Sequence, residues 1–198
     1  MRKAILIHGY HKKKNVMNPN KRMPSNNHWV PWASKQLMIN GIFPIAVEMP
    51  EPWNPKFEVW KKELERFDID KETILIGHSY GGGFVVRWLS ETDKKIDKVI
   101  LVAPYMGLPA KHIIVDQTPT ELAEFFDFPI DRTMVQKTIR GVTILESTND
   151  DPVIDDSLSL LKRSIDDLHV VTVGNRGHFL DRDMGTDRFP ELIEEVLR

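Results

Sequence analysis

The sequence predicts an α/β fold, a three-layer α/β/α sandwich built on a six-stranded parallel sheet. Three observations lead there. Six short runs rich in Val and Ile recur along the 198 residues, several apolar at consecutive positions, as in strands covered on both faces. Stretches with apolar residues at helical spacing separate them. The strand–helix alternation is nearly unbroken, and right-handed crossovers close such a chain into one parallel sheet. A chain of this length is the size of one ordinary domain, so residues 1–198 read as a single unit.

The predicted strands are residues 3–8 (KAILIH), 42–49 (IFPIAVEM), 73–78 (TILIGH), 98–103 (KVILVA), 142–147 (VTILES) and 168–173 (LHVVTV), with spatial order 2-1-3-4-5-6. Residues 29–40 form the first predicted helix, carrying Trp32, Ala33, Gln36 and Leu37, with Gly41 where a C-terminal glycine belongs. Residues 57–67 place Phe57, Trp60, Leu64 and Phe67 on one helical face. Further helices are expected at 80–89, 154–165 and 189–197. The segment 105–140 breaks the rhythm with two short helical patches, 119–126 and 131–137. A connection this long forms either a small lid or a crossover insertion.

Composition narrows the functional classes. Hydrophobic residues make up 41% and charged residues 28%, the balance of a soluble chain with a proper core. With 27 basic against 29 acidic residues the net charge is −2, which leaves no overall basic field for nucleic acid. The basic stretch that does exist lacks a recognisable aromatic stacking platform. Cysteine is absent, which removes disulfides, thiolate nucleophiles and cysteine-based metal sites. Residues 1–8 are too short an apolar run for a signal peptide, and no stretch reaches membrane-spanning length. The expectation is a cytoplasmic protein with no membrane or nucleic-acid partner.

Chemistry concentrates at Gly77-His78-Ser79-Tyr80-Gly81, between a strand and a helix. So sharp a turn strains its central residue and needs small neighbours, while lifting the Ser79 hydroxyl to the positive end of a helix. A serine needs a base to take its proton. His178, in the turn after the last strand, lies at the same sheet edge as Ser79. The base in turn needs an anion. Asp150 or Asp151, after the fifth strand, qualifies, and spacing does not choose between them. Asp155 and Asp156 read as first-turn charges of the next helix. Two backbone N–H groups, those of Tyr80 and Tyr10, are placed to hold an oxyanion. Of the other histidines, His78 props the turn, His8 ends the first strand, His169 sits in a strand pattern, and His11, His28 and His112 fall in polar loops.

These motifs (IHGY, GHSYGG, STNDDP and GNRGHF, in order) resemble the α/β-hydrolase superfamily. More narrowly, the chain is similar to the small serine hydrolases related to retinoblastoma-binding protein nine. His28-Trp29-Val30-Pro31-Trp32 matches their tryptophan-bearing loop, and Glu48-Met49-Pro50-Glu51-Pro52 an NMPDP-like stretch. The resemblance spans essentially the whole chain and implies a minimal α/β-hydrolase fold. In that family the catalytic aspartate directly precedes a proline, which implies Asp151. The expected activity is hydrolysis of a small carboxylic ester, or a thioester or amide, through an acyl-serine. Ser79, Asp151 and His178 would be catalytic, Tyr10 and Tyr80 would bind the oxyanion, and no metal or organic cofactor would be needed. The alternatives are a hydrolase-fold scaffold without meaningful turnover and haloperoxidase-like or lyase chemistry on the same frame.

Two features stand apart from the family pattern. Residues 11–27 form a long loop with Lys12, Lys13, Lys14, Lys21 and Arg22 and no acidic residue. It either attracts an anionic substrate or is simply solvated. In the 105–140 segment, Phe125, Phe126 and Phe128 line an acyl pocket or belong to the core.

Overall fold

The computed structural model describes residues 1–108 and 116–198. Six parallel strands form one sheet in the order β2-β1-β3-β4-β5-β6, the order expected. They are β1 (Lys3–Ile7), β2 (Phe43–Val47), β3 (Thr73–His78), β4 (Lys98–Val102), β5 (Val142–Ser147) and β6 (His169–Val173). β3 and β4 are buried along their whole length, as consecutive Ile, Leu and Val require. The edges differ: Phe43 and Ala46 on β2 and His169 and Thr172 on β6 are exposed and most of their neighbours are only partly covered, so the covering of both faces holds only for the centre.

The helices are α1 (Lys13–Val16), α2 (Val30–Ile39), α3 (Phe57–Leu64), α4 (Tyr80–Glu91), α5 (Pro119–Phe126), α6 (Pro152–Ser164), α7 (Asp181–Met184) and α8 (Pro190–Leu197). α2 packs with α8, and α3, α4 and α5 pack together. Phe57, Trp60 and Leu64 turn inward from α3 as their spacing demands. α2 ends where Gly41 takes φ 73°, a conformation glycine adopts without a steric cost.

Register fixes the working edge. Ile7 lies opposite Gly77, and His78 opposite Val102, so β1, β3 and β4 end level. β5 and β6 finish together at Ser147 and Val173. Everything that follows these strand ends emerges on one side.

The aromatic segment belongs to the core. Phe125 is 1% exposed, and its ring centre lies 4.5 Å from that of Tyr80 and 5.7 Å from that of Trp60. Phe126 covers Tyr80 from 4.7 Å. Neither lines the cleft that holds Ser79. The patch expected as a helix at 131–137 is a 3₁₀ turn at Met134–Lys137. There the Asp131 carboxylate accepts from the Thr133 N–H and hydroxyl, a side-chain turn that competes with α-helix. Residues 109–115, within the expected lid or insertion and including His112, lie outside the described residues. Among the described residues no helix is long and apolar enough to cross a membrane.

Candidate active site

β3 delivers the serine. The Ser79 N–H donates to the Val102 carbonyl at 2.9 Å, and its own carbonyl accepts from Gly82, Gly83 and Tyr105 at 2.9, 3.2 and 3.0 Å. Held this way, Ser79 takes φ 54° and ψ −120°, a backbone state costing about 1–3 kcal/mol for a residue with a Cβ. The turn closes because its flanks carry no side chains. A Cβ on Gly77 would stand 2.6 Å from the Gly81 carbonyl oxygen, and one on Gly81 2.5 Å from that of His8.

His178, from the loop after β6, reaches the serine. The Ser79 hydroxyl donates to Nε2 at 2.8 Å. On the far side of the ring, Nδ1–H donates to both carboxylate oxygens of Asp150, at 3.0 and 3.1 Å. The Asp150 side chain is fully buried and that of His178 is 18% exposed. His78 braces the pair: its Nε2–H donates to the His178 carbonyl at 2.9 Å. Burial, and then the neighbouring His178, hold the His78 ring well below the usual histidine pKa.

The carboxylate is therefore Asp150 and not Asp151. Three side chains set the register after β5. Thr148 Oγ1 accepts from the Asn175 N–H at 3.0 Å, Ser147 Oγ from the Arg176 N–H at 2.9 Å, and Asn149 Oδ1 from the Gly177 N–H at 2.8 Å. This ladder fastens the two loops residue by residue and leaves Asp150 facing His178. Asp151 instead caps α6, accepting from the Val153 N–H at 3.0 Å with Pro152 at the first helical position. An aspartate directly before a proline also suits a helix start, and that is the role Asp151 takes here, against the family likeness.

The backbone on the other side is equally close. A Cβ on Gly9 would lie 2.9 Å from that of Ser79, so the turn after β1 runs directly against this serine. Among the described residues neither the Tyr10 nor the Tyr80 N–H has a protein acceptor. Their side chains point elsewhere. The Tyr80 ring is in the core, and the Tyr10 hydroxyl accepts from the Asp116 N–H at 3.0 Å.

A cleft of about 610 Å³ opens over Ser79 and His178. His11, Asn15, Val16, Asn27 and Leu180 are among its walls, with Lys12, Lys21, Arg22 and Arg182. Burial, then the nearby His8 and His28, lower the His11 pKa to about 4. His28 ties the loop 11–27 to α7 through its Nδ1–H, which donates to Asp181 at 3.0 Å. Neither that tie nor Arg182 was visible in the sequence, because α1 and α7 are too short for periodicity to reveal. Several histidines crowd this edge, yet among the described residues no three His, Asp or Glu side chains converge as a metal site.

A serine on a strained strand-to-helix turn, bonded to an imidazole that is bonded to a buried carboxylate on a parallel sheet, defines an α/β hydrolase. The chain belongs to the serine hydrolase family, whose model matches residues 5–198, and it is a hydrolase. It is similar over 99% of its length, at 28% identity, to YdeN of Bacillus subtilis (strain 168), a protein provisionally named a hydrolase, of which the match spans 94%. The crystal structure of the B. subtilis ydeN gene product superposes with TM-score 0.77 at 24% identity, covering all of this chain and 97% of the other. A bromoperoxidase from Bacillus anthracis (TM-score 0.66, 16% identity, coverage 100% and 92%) and the esterase EaEST from Exiguobacterium antarcticum (0.65, 14%, 100% and 92%) share the fold.

Proposed function

We propose that this hydrolase cleaves a small carboxylic ester, or a related thioester or amide, through a covalent acyl-serine. The observation that carries the reading is the continuous chain Ser79 Oγ–His178 Nε2, His178 Nδ1–Asp150, at 2.8 and 3.0 Å. As Ser79 attacks the carbonyl carbon, its proton passes to Nε2, and Asp150 steadies the imidazolium that forms. The carbonyl oxygen becomes an oxyanion, received by the Tyr10 and Tyr80 N–H groups. One such donor is worth roughly 2.7–4 kcal/mol in the transition state. Nε2–H then protonates the departing alkoxide, thiolate or amine nitrogen. Water, deprotonated by the same nitrogen, attacks the acyl carbon, releases the acid and restores the serine.

A small ester is favoured because polar side chains outnumber aliphatic ones around the cleft. Val16, Pro24 and Leu180 are the aliphatic ones, too few to form a channel for a long acyl chain. Fluorophosphonate labelling and nitrophenyl acetate hydrolysis test the assignment. Ser79→Ala should abolish both while leaving the circular dichroism unchanged. Labelling that survives the substitution overturns the nucleophile. A wild type that neither labels nor turns over any ester would point instead to a binding role.

A further inference from the structure

Charge in the cleft is one-sided. Lys12, Lys21, Arg22 and Arg182 line it against one carboxylate, Asp151. That carboxylate already caps α6. Lys12 lies 3.4 Å from Asp116 and Arg182 3.4 Å from Asp183, exposed pairs that neutralise little. Lys21 donates to the Asn15 side-chain oxygen at 2.9 Å. Among the described residues neither Lys21 nor Arg22 has a carboxylate partner within ion-pair distance. The chain as a whole carries −2, so the accumulation is local.

The loop that carries most of these cations is also fastened in place, unlike a merely solvated run of charge. The Ser25 N–H donates to Glu48 at 3.0 Å, and His28 is tied to Asp181 at 3.0 Å. α1 and the 3₁₀ turn Pro24–Asn26 give it internal structure. Fixed cations around a cleft focus the field toward its floor. The floor holds Ser79.

Resting on the acyl-serine reading above, we infer that the cleft takes an acyl substrate bearing a carboxylate or phosphate-type anion, held by Lys21 and Arg22 with Lys12 and Arg182 adding to the field. Arg22 can grip either anion through two parallel N–H bonds, and Lys21 acts as a point charge. Asn15 and Asn27 bring neutral donors to the same wall.

The test compares esters matched in everything but charge. On the alcohol side these are 4-acetoxyphenylacetate, the corresponding arylmethylphosphonate and the neutral methyl ester. On the acyl side they are the phenyl monoester of adipic acid and its methyl ester. At low ionic strength wild type should favour an anionic member of at least one set by about tenfold or more in kcat/KM, chiefly through KM. Salt should shrink that preference. For an ester that binds without turnover, protection of Ser79 from the fluorophosphonate gives the same ratio. In the folded double variant Lys21→Gln/Arg22→Gln the ratio should fall toward one, and Arg22→Lys should keep part of it. A wild-type ratio of one in both sets, or a ratio indifferent to salt or to the double substitution, overturns the inference. Equal use of charged and neutral esters with Ser79 still labelled defeats only this proposal. Loss of both labelling and turnover in wild type defeats the hydrolytic reading beneath it.

Discussion

The Ser79 hydroxyl donates a hydrogen bond to one nitrogen of His178, and the opposite nitrogen of that ring faces a carboxylate buried away from water. This makes Asp150 a tautomer lock: with Nδ1 obliged to donate, Nε2 must accept. Asp150→Asn can present an N–H to Nδ1 and favours the wrong tautomer, so kcat should fall by about 10³–10⁴. Asp151→Asn should keep most of the activity, because asparagine caps a helix as well as aspartate does, whereas Asp151→Ala should cost about 1 kcal/mol of stability. Steady-state kinetics and urea unfolding of the three variants decide it. The reverse ranking of the two asparagine variants would return the role to Asp151. Ser79 and His178 were legible in the sequence because glycines and strand ends announce them. The choice of Asp150 over Asp151 was not, since it depends on the hydrogen-bond ladder from Ser147, Thr148 and Asn149 to a loop 27 to 29 residues away.

Elements read well from the sequence wherever burial enforces a long pattern. All six strands and the helices beginning at Val30, Phe57, Tyr80, Pro119, Pro152 and Pro190 fall where periodicity puts them. The four-residue α1 and α7 escape it, and these elements shape the cleft rim. Phe125 and Phe126 show the converse limit: an aromatic pair looks alike in a pocket and in a core until its neighbours are known. The junction of β3 with α4 is tightly packed. A methyl on Gly81 would press on the His8 and Ile7 carbonyl oxygens at 2.5 and 2.6 Å, backbone that can yield only by parting α4 from β1. Gly81→Ala should destabilise by about 1–3 kcal/mol or more and depress kcat/KM by displacing the Tyr80 N–H. Gly174→Ala, with nothing within 4 Å of the added carbon, should stay within about 0.5 kcal/mol of wild type. Chemical denaturation checks both, and equal stability of the two variants would refute the packing argument.

At the scale of the molecule, the parallel sheet with helical crossovers followed from alternation and handedness, while the character of the cleft did not. Sequence gives the sum of charge and leaves open where distant loops bring like charges together. The same convergence buries histidines. His78 is held well below the ordinary histidine pKa, and His11 falls to about 4, both chiefly through burial. In the unfolded chain each returns to about 6.5, so between the two values the unfolded state binds protons that the native state refuses. The stability they confer is therefore complete above about pH 6.5 and is lost as pH falls toward 4. His11 alone should account for about 2 kcal/mol between pH 7 and pH 4.5, with His78 adding in the same direction. Urea midpoints measured across that interval should fall in wild type and fall less steeply in His11→Gln, which isolates this term from the protonation of carboxylates. If the two curves run parallel, His11 is already protonated in the folded protein, and the cleft is wetter and more cationic near pH 5 than its packing implies.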